Sequence, residues 1–230
     1  MRYSFVEMSQ QTIRTDFDRI ASLSDCRSDH NPYERFLFSQ IPIGCQNALE
    51  VGCGTGAFTR LLAERAQNVL AIDLSPGMIQ IAMGRSSGHP NIAFQVADIT
   101  ETDLGPEQFD CIVSIATLHH MPQAATLARL KDALRPQGIL LIHDLFEPDG
   151  IFDLAVNTLA IPVSVGRRLI EFGRLRPPQA VRAAWKEHER HDTYLTLTEV
   201  KKLCCELLPN ATINRHLLWR YSMIWQKPDL

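Results

Sequence analysis

Residues 49–56 read Leu-Glu-Val-Gly-Cys-Gly-Thr-Gly, an apolar run that leads into three alternating glycines. Residues 47–51 have the apolar character of a buried strand and a helical pattern follows the glycines, so the glycines form a strand-to-helix turn. In a parallel sheet, the turn after the first strand approaches a bound ligand most closely. We therefore expect Gly52 and Gly54 to turn tightly beneath a ligand, and Gly56 to let the next helix lie near the strand.

The glycine turn opens a series of short strands that alternate with helices. Each predicted strand is apolar and mostly β-branched, as expected of parallel strands buried on both faces. The predicted strands are residues 47–51, 68–73, 92–98, 109–115 and 138–144, and the predicted helices between them are 58–66, 75–85 (Ser75 as N-cap, Pro76 at N1) and 123–134. This alternation predicts right-handed crossovers and an α/β fold with a doubly wound sheet.

The flanking segments extend this core into one domain of 230 residues. Helix-like stretches at 12–23 and 33–39 precede it, and breakers such as Pro162 predict two or three helices between 151 and 191. A helix at 198–207 and two alternating runs, 211–218 and 221–226, bring the mostly parallel sheet to seven strands. The predicted parts are an N-terminal helical lid (1–46), a ligand-binding core (47–144), a helical insertion (145–197) and a closing helix with strands (198–230).

Composition narrows the classes of function. The formal net charge is −3, which disfavours a nucleic-acid partner held by phosphate contacts. The six cysteines form no C-x-x-C pair, so reduced thiols in a cytoplasmic protein are expected. The first twenty residues lack an apolar segment, and no run approaches eighteen apolar residues, so neither export nor a membrane span is predicted.

The glycine turn by itself fits two kinds of cofactor. Together with Ala57 it satisfies the G-x-G-x-x-[GA] pattern of dinucleotide sites, and Asp73 follows at about the expected twenty residues. The strand ends favour a different ligand, because Glu50, Asp73 and Asp98 place three carboxylates around the pocket. The negative electrostatic potential of these carboxylates stabilises a sulfonium cation with an ammonium group and repels a pyrophosphate. S-adenosylmethionine is therefore favoured, and a nicotinamide cofactor remains the alternative.

Five ordered blocks between Asn47 and Asp144 resemble the class I methyltransferases, in particular the small-molecule branch that is similar to ubiquinone and menaquinone biosynthesis enzymes. The blocks read LEVGCGTG, AIDLSPGMI, VADIT, FDCIVSIATLHHM and LRPQGILLIHD. The resemblance implies a Rossmann-like methyltransferase fold with S-adenosylmethionine as cofactor. One departure is Gln137, where the family often has a second glycine, and we expect it to affect only a turn.

The resemblance also implies which residues contact the cofactor. Asp73 would hold both ribose hydroxyls, with Leu74 and Met78 on either side of the adenine. Asp98 would accept a hydrogen bond from the adenine amino group, while the Ile99 amide reaches a ring nitrogen. The other implied cofactor residues are Glu50, Gly52, Cys53 through its backbone, Gly54 and Ser114.

Methyl transfer needs alignment of the acceptor with the methyl carbon and sulfur, and a base only when the acceptor must lose a proton. The predicted catalytic residues are His119, which follows strand four, and His143, at the end of strand five; His120 is a weaker candidate. Each ring can instead hold its loop by a hydrogen bond to the backbone.

The run from His188 to Asp192 lacks the H-E-x-x-H spacing, so no metal is expected. The aromatic residues fit core packing better than an acceptor wall; they are Trp185, Tyr194, Trp219, Tyr221 and Trp225.

The sequence thus predicts a methyltransferase of the EC 2.1.1 class that acts on a small molecule by in-line displacement. Residues 114–117 read Ser-Ile-Ala-Thr rather than the [DN]-P-P-[YF] signature of enzymes that methylate nucleic-acid bases. Two alternatives stay open: a cofactor-binding partner protein or pseudoenzyme without methyl transfer, and an NAD(P)-dependent oxidoreductase. Neither the methyl acceptor nor the oligomeric state is specified by the sequence.

Overall fold

All seven predicted strands are present in the computed structural model, which describes residues 10–23, 33–150, 162, 166, 178–190 and 192–229. They are β1 (Cys45–Val51), β2 (Ala66–Asp73), β3 (Ile92–Val96), β4 (Phe109–Ile115), β5 (Leu134–Leu145), β6 (Thr212–His216) and β7 (Arg220–Gln226). The strand order is β3-β2-β1-β4-β5-β7-β6. The first five strands are parallel, and β7 pairs antiparallel with both β5 and β6. The predicted doubly wound, mostly parallel sheet is confirmed.

Seven α-helices lie in the described ranges. They are α1 (Gln10–Leu23), α2 (Glu34–Gln40), α3 (Ala57–Ala63), α4 (Pro76–Arg85), α5 (Gln123–Ala133), α6 (Gln179–His188) and α7 (Leu197–Leu207). Ser75 caps α4 as predicted, because its hydroxyl accepts a hydrogen bond from the Met78 amide at 3.0 Å. Of the helices predicted between 151 and 191, the structure describes α6, and residues 151–161, 163–165, 167–177 and 191 lie outside the described residues. None of the described helices combines the length and apolar character that a membrane crossing requires.

Two predicted boundaries were wrong. The helix expected to reach Ala66 ends at Ala63, because the Asn91 side-chain amide donates to the carbonyls of Ala63 and Ala66 at 2.9 and 3.0 Å and holds the chain reversal between them. Ala66 therefore begins β2. Strand β5 starts at Leu134, and Gln137 lies inside it with a left-handed φ of 63°. The register of β5 against β4 shifts between Leu134 and Ile139, so Gln137 lies in an irregular stretch of the chain, where a glycine would adopt the left-handed conformation without strain.

The central strands of the sheet are buried on both faces, as their apolar sequences predicted, whereas the edge strands β3 and β6 are mostly half-buried or exposed. Successive residues of a strand point to opposite faces, and each face has its own apolar cluster. One cluster joins the sheet to α5 and α7 through Leu49, Ile112, Leu140, Leu127, Leu130 and Val200. The other joins it to α2 and α3 through Ala48, Val113, Leu141, Leu37, Phe58 and Leu62. Strand order reverses between β1 and β4, so a crevice opens at their carboxyl ends, where ligands bind in this class of sheet.

Gly52 and Gly54 of the glycine turn have different surroundings. Gly52 has a φ of 73°, and a Cβ atom there would lie 2.3 Å from the Thr117 side chain, which follows β4. Gly54 has a φ of 51°, but a Cβ atom there would meet no protein atom within 4 Å. Gly52 is thus required by the protein's own packing, whereas the space beside Gly54 is open to a ligand. Gly56 lies against Ala82 of α4.

Replacing Gly52 by alanine should destabilise the fold by about 2–4 kcal/mol, because the left-handed φ and the overlap with Thr117 both cost free energy. The matched control is Gly84→Ala, which lies in α4 with nothing within 4 Å of the added atom. That control should stabilise by about 0.5–1 kcal/mol through helix propensity. Urea unfolding measures both variants. Equal stability of Gly52→Ala and the unsubstituted protein would contradict the packing described for this turn.

Candidate active site

A cavity of about 360 Å³ lies at the carboxyl ends of β1 and β4, against the glycine turn. Nine of the ten residues predicted to contact the cofactor line it: Glu50, Gly52, Cys53, Gly54, Asp73, Leu74, Met78, Asp98 and Ile99. The tenth, Ser114, is not part of the lining. It is buried within β4, and its hydroxyl has no hydrogen-bond partner among the described residues. The next residue, Ile115, reaches the cavity instead.

Asp73 is fixed by backbone amides. Its Oδ2 accepts a hydrogen bond from the Gly54 amide at 2.8 Å, and its Oδ1 accepts one from the Ser75 amide at 2.9 Å. Burial raises the pKa of the Asp73 carboxyl, and the hydrogen bonds from Ser75 and Gly54 oppose that rise. These two hydrogen bonds hold the Asp73 carboxylate in one orientation at the cavity wall, between the glycine turn and the start of α4.

Glu50 is the most deeply buried of the three acidic residues. Its side chain is 2% exposed and accepts a hydrogen bond from the Thr59 hydroxyl. Burial raises the pKa of the Glu50 carboxyl to about 8, and the charge of Asp73 adds to the rise. The isolated protein therefore keeps most of its Glu50 protonated at neutral pH. A cation beside it would favour the ionised form.

The adenine end of the predicted site is built around Asp98. Its Oδ1 accepts hydrogen bonds from the Thr100 amide at 2.8 Å and from the Thr100 hydroxyl at 2.6 Å, which fixes the rotamer. Ile99 is buried beside it. Cys53 also lines the cavity, and burial raises the pKa of its thiol far above the ordinary range, so the thiol is protonated and unreactive.

Two helices close the cavity from above. Helix α1 contributes Gln10, Ile13, Phe17 and Ile20, and α6 contributes Val181 and Trp185. Helix α1 packs on α4 and α6, and it is fastened to the start of α4 by Asp18. The Oδ1 atom of Asp18 accepts hydrogen bonds from the Ser75 hydroxyl at 2.5 Å and from the Gly77 amide at 3.0 Å.

Neither predicted catalytic histidine lines the cavity. His119 is turned toward β5: its Nδ1 lies 2.6 Å from Asp144 Oδ1, and its backbone amide donates to Asp144 Oδ2 at 2.9 Å. Burial alone would lower the pKa of His119, but the charge and hydrogen bond of Asp144 outweigh it and raise that pKa. His143 is fully buried in β5, 4.9 Å ring to ring from Tyr33. Burial, together with the charge of Arg220, lowers the pKa of His143 to about 3.

His120, the weaker candidate, is the histidine that reaches the cavity. It stands next to Met121 and Thr117, which also line it, and its ring meets Phe17 of α1 edge to face at 5.6 Å. Burial lowers the pKa of His120, so its imidazole is neutral at physiological pH.

The sequence predicted a helical lid within residues 1–46 but not which of its side chains face the cavity. Ile13, Phe17 and Ile20 form an apolar stripe at helical spacing, which indicated a buried face but not what it covers. Trp185 was assigned to the core, and instead it lines the cavity with 41% of its surface exposed. These side chains come from segments without motifs.

The cavity fits the charge of S-adenosylmethionine better than that of a dinucleotide. The residues that would approach a cationic sulfonium and ammonium are carboxyl groups, and the turn at Gly54 leaves room for a ligand beside its backbone. A pyrophosphate in the same place would face Glu50 and Asp73, and the described lining contains neither lysine nor arginine to neutralise it.

Comparison with known proteins agrees with this geometry. Residues 48–138 match the methyltransferase domain family. An uncharacterized methyltransferase of Mycobacterium tuberculosis is 30% identical over 203 residues, which cover 85% of this chain and 94% of that protein. The malonyl-[acyl-carrier protein] O-methyltransferase of Serratia marcescens is 30% identical over 141 residues, covering 60% of this chain and 54% of the enzyme.

A solved structure with the same fold is the N-methyltransferase NodS of Bradyrhizobium japonicum in complex with S-adenosyl-L-homocysteine. It is 18% identical, with a TM-score of 0.62 over 94% of this chain and 98% of NodS. The sheet, the acidic cavity and the relationship over nearly the whole length of the mycobacterial protein lead to one conclusion. The chain belongs to the class I S-adenosylmethionine-dependent methyltransferases, enzymes of the EC 2.1.1 class, and its cofactor is S-adenosylmethionine.

Proposed function

We propose that this protein transfers the methyl group of S-adenosylmethionine to a small-molecule acceptor by in-line displacement. The observation that carries the proposal is that one cavity is lined by two unlike sets of side chains. Carboxyl groups and glycines form the set that we assign to the cofactor end, and apolar and aromatic side chains from two covering helices form the set that we assign to the acceptor end. A cavity of about 360 Å³ under two covering helices suits a small acceptor better than a folded macromolecule.

We assign the cofactor end to the predicted residues that line the cavity. Asp73, fixed by Gly54 and Ser75, holds the ribose hydroxyls, and Asp98 receives the adenine amino group. Glu50 lies under the turn and balances the positive charge of the ligand. The cofactor supplies a methyl group already activated on a sulfonium, so the protein's remaining task is to align the acceptor and exclude water.

The acceptor end is assigned to the segment after β4 and to the lid of α1 and α6. Thr117, His120 and Met121 form its floor, and Phe17 and Trp185 form its cover. In this proposal His120 contacts the acceptor. His119 positions that segment, because Asp144 binds both its ring and its backbone amide. The aromatic cover removes water from the acceptor.

The acceptor class is tested by the release of S-adenosylhomocysteine. The protein is incubated with S-adenosylmethionine and either the small-molecule filtrate or the macromolecular retentate of a cell extract. We expect turnover with the filtrate. A separate arm with malonyl-coenzyme A probes the acceptor type named in the relatives that methylate malonyl-[acyl-carrier protein]. Turnover confined to the retentate, and abolished by protease or nuclease, would contradict a small-molecule acceptor.

Binding of S-adenosylmethionine should release a proton from Glu50. The pKa of its carboxyl is about 8 in the isolated protein, and the cationic ligand lowers it, so near pH 7 the proton leaves as the ligand binds. Calorimetry in buffers of different ionisation enthalpy counts the protons. The unsubstituted protein should release about one proton more than Glu50→Gln, since the ligand's own amino group titrates alike in both. Equal proton counts would show that Glu50 does not respond to the ligand.

Loss of the Asp18 carboxylate should loosen the lid. Asp18→Ala removes the acceptor that fastens α1 to Ser75 and Gly77, and each hydrogen bond to a charged group contributes about 1.5–3 kcal/mol. We expect S-adenosylhomocysteine to dissociate at least about tenfold faster, measured by stopped-flow displacement. The control is Arg19→Ala, an exposed position of the same helix. The same dissociation rate in both variants would refute this role of Asp18.

A further inference from the structure

Behind the acceptor end of the cavity, three side chains from two separate segments bring potential metal ligands together. His119 and His120 follow β4, and Asp192 follows α6. The Nδ1 atom of His120 lies 3.3 Å from Asp192 Oδ1, and the Nε2 atom of His119 lies 4.0 Å from Asp192 Oδ2. One ligand atom from each of the three residues lies within 4.8 Å of the others.

The group is buried but not satisfied. The side chains of His120 and Asp192 are 5% and 2% exposed, yet neither His120 Nδ1 nor Asp192 Oδ1 has a hydrogen-bond partner among the described residues. Although the two atoms are close, their directions do not make a hydrogen bond. A buried polar atom left without a hydrogen bond costs about 1–3 kcal/mol, so a ligand that binds both atoms would recover that free energy.

The surrounding contacts have the arrangement of a metal's outer shell. Asp144 binds the Nδ1 of His119, which fixes the ring and directs its Nε2 toward Asp192. Metal-bound histidines are usually held in this way by a carboxylate on the second nitrogen. Asp192 is itself oriented, because its Oδ2 accepts a hydrogen bond from the Tyr194 hydroxyl at 2.9 Å.

His188 repeats the pattern on the other side of Asp192. Its Nδ1 lies 3.3 Å from Asp16 Oδ2, and its Nε2 lies 3.8 Å from Asp192 Oδ1. Helix α1 carries Asp16 and helix α6 carries His188, so the cluster connects both lid helices to the segment after β4.

We propose that His119, His120 and Asp192 bind a divalent first-row transition metal ion, with Zn²⁺ the best match. Two imidazoles and one carboxylate suit Zn²⁺, Mn²⁺ or Fe²⁺, whereas Mg²⁺ and Ca²⁺ prefer oxygen ligands alone. Ligand atoms around tetrahedral zinc lie about 3.3 Å apart, so small side-chain rotations close the observed separations. The prediction of no metal used only the spacing within the run from His188 to Asp192. The fold brings His119 and His120 to the same place.

Titration calorimetry of the metal-stripped full chain with Zn²⁺, Mn²⁺ and Mg²⁺ tests this site without any methyl transfer. We expect one Zn²⁺ per chain and no Mg²⁺ binding. Loss of an outer-shell partner already weakens metal binding by about 10–100-fold, so Asp192→Asn and His120→Ala, which replace direct ligands, should each weaken Zn²⁺ binding by at least about 100-fold. The control, His89→Ala, removes a histidine outside the cluster and should leave the affinity unchanged.

Two results would overturn the proposal. The first is no stoichiometric Zn²⁺ binding, and the second is a Zn²⁺ affinity of Asp192→Asn equal to that of the His89→Ala control. Co²⁺ provides a readout on the unsubstituted protein that does not depend on whether a variant folds. Four-coordinate Co²⁺ at this site should give intense visible absorption bands, and Zn²⁺ should displace them. The absence of such bands on titration with Co²⁺ would equally exclude the site.

Discussion

The carboxylate of Asp73 is the point on which the active site depends. Through two backbone amides it joins the glycine turn after β1 to the start of α4, and the Ser75 hydroxyl continues the connection to Asp18 of the lid. A single chain of hydrogen bonds thus runs from the cofactor loop to the helix that covers it. Because these groups are ordered within the protein, little conformational entropy remains to be lost when the cofactor binds.

The two carboxyl groups determine which ligand charge the site favours. Glu50 is buried and Asp73 is half-buried, and desolvation raises the pKa of each carboxyl. The site is therefore poor for a second negative charge and favourable for a cation, which restores the ionised form of Glu50. That preference distinguishes a sulfonium from a pyrophosphate, although the glycine pattern itself accommodates both.

The parts of the molecule with a local physical signature were predictable from the sequence. Buried parallel strands read as continuous apolar runs, Ser75 and Pro76 signal a helix start, and glycines mark the turn beside the ligand. Asp73 and Asp98 follow from their places at strand ends. The narrower likeness to quinone-biosynthesis enzymes stays a prediction.

Features that depend on long-range packing were not predictable. His119 and His120 are adjacent, and which of them reaches the cavity is decided by Asp144, 25 residues away, which holds His119 against β5. Ser114 and Ile115 differ in the same way, since only the strand's exact register shows which one faces the ligand. The lid and the histidine–aspartate cluster bring together α1, α6 and the end of β4, and no sequence pattern links these segments.

The central claim is that the acidic cavity at the glycine turn binds S-adenosylmethionine, and direct calorimetric titration tests it most simply. S-adenosylmethionine and NADH are titrated separately into the unsubstituted protein and into Asp73→Ala. The account predicts one S-adenosylmethionine per chain, markedly weaker binding in the variant, and no binding of NADH. Binding of NADH in place of S-adenosylmethionine, or an affinity for S-adenosylmethionine that Asp73→Ala leaves unchanged, would contradict it.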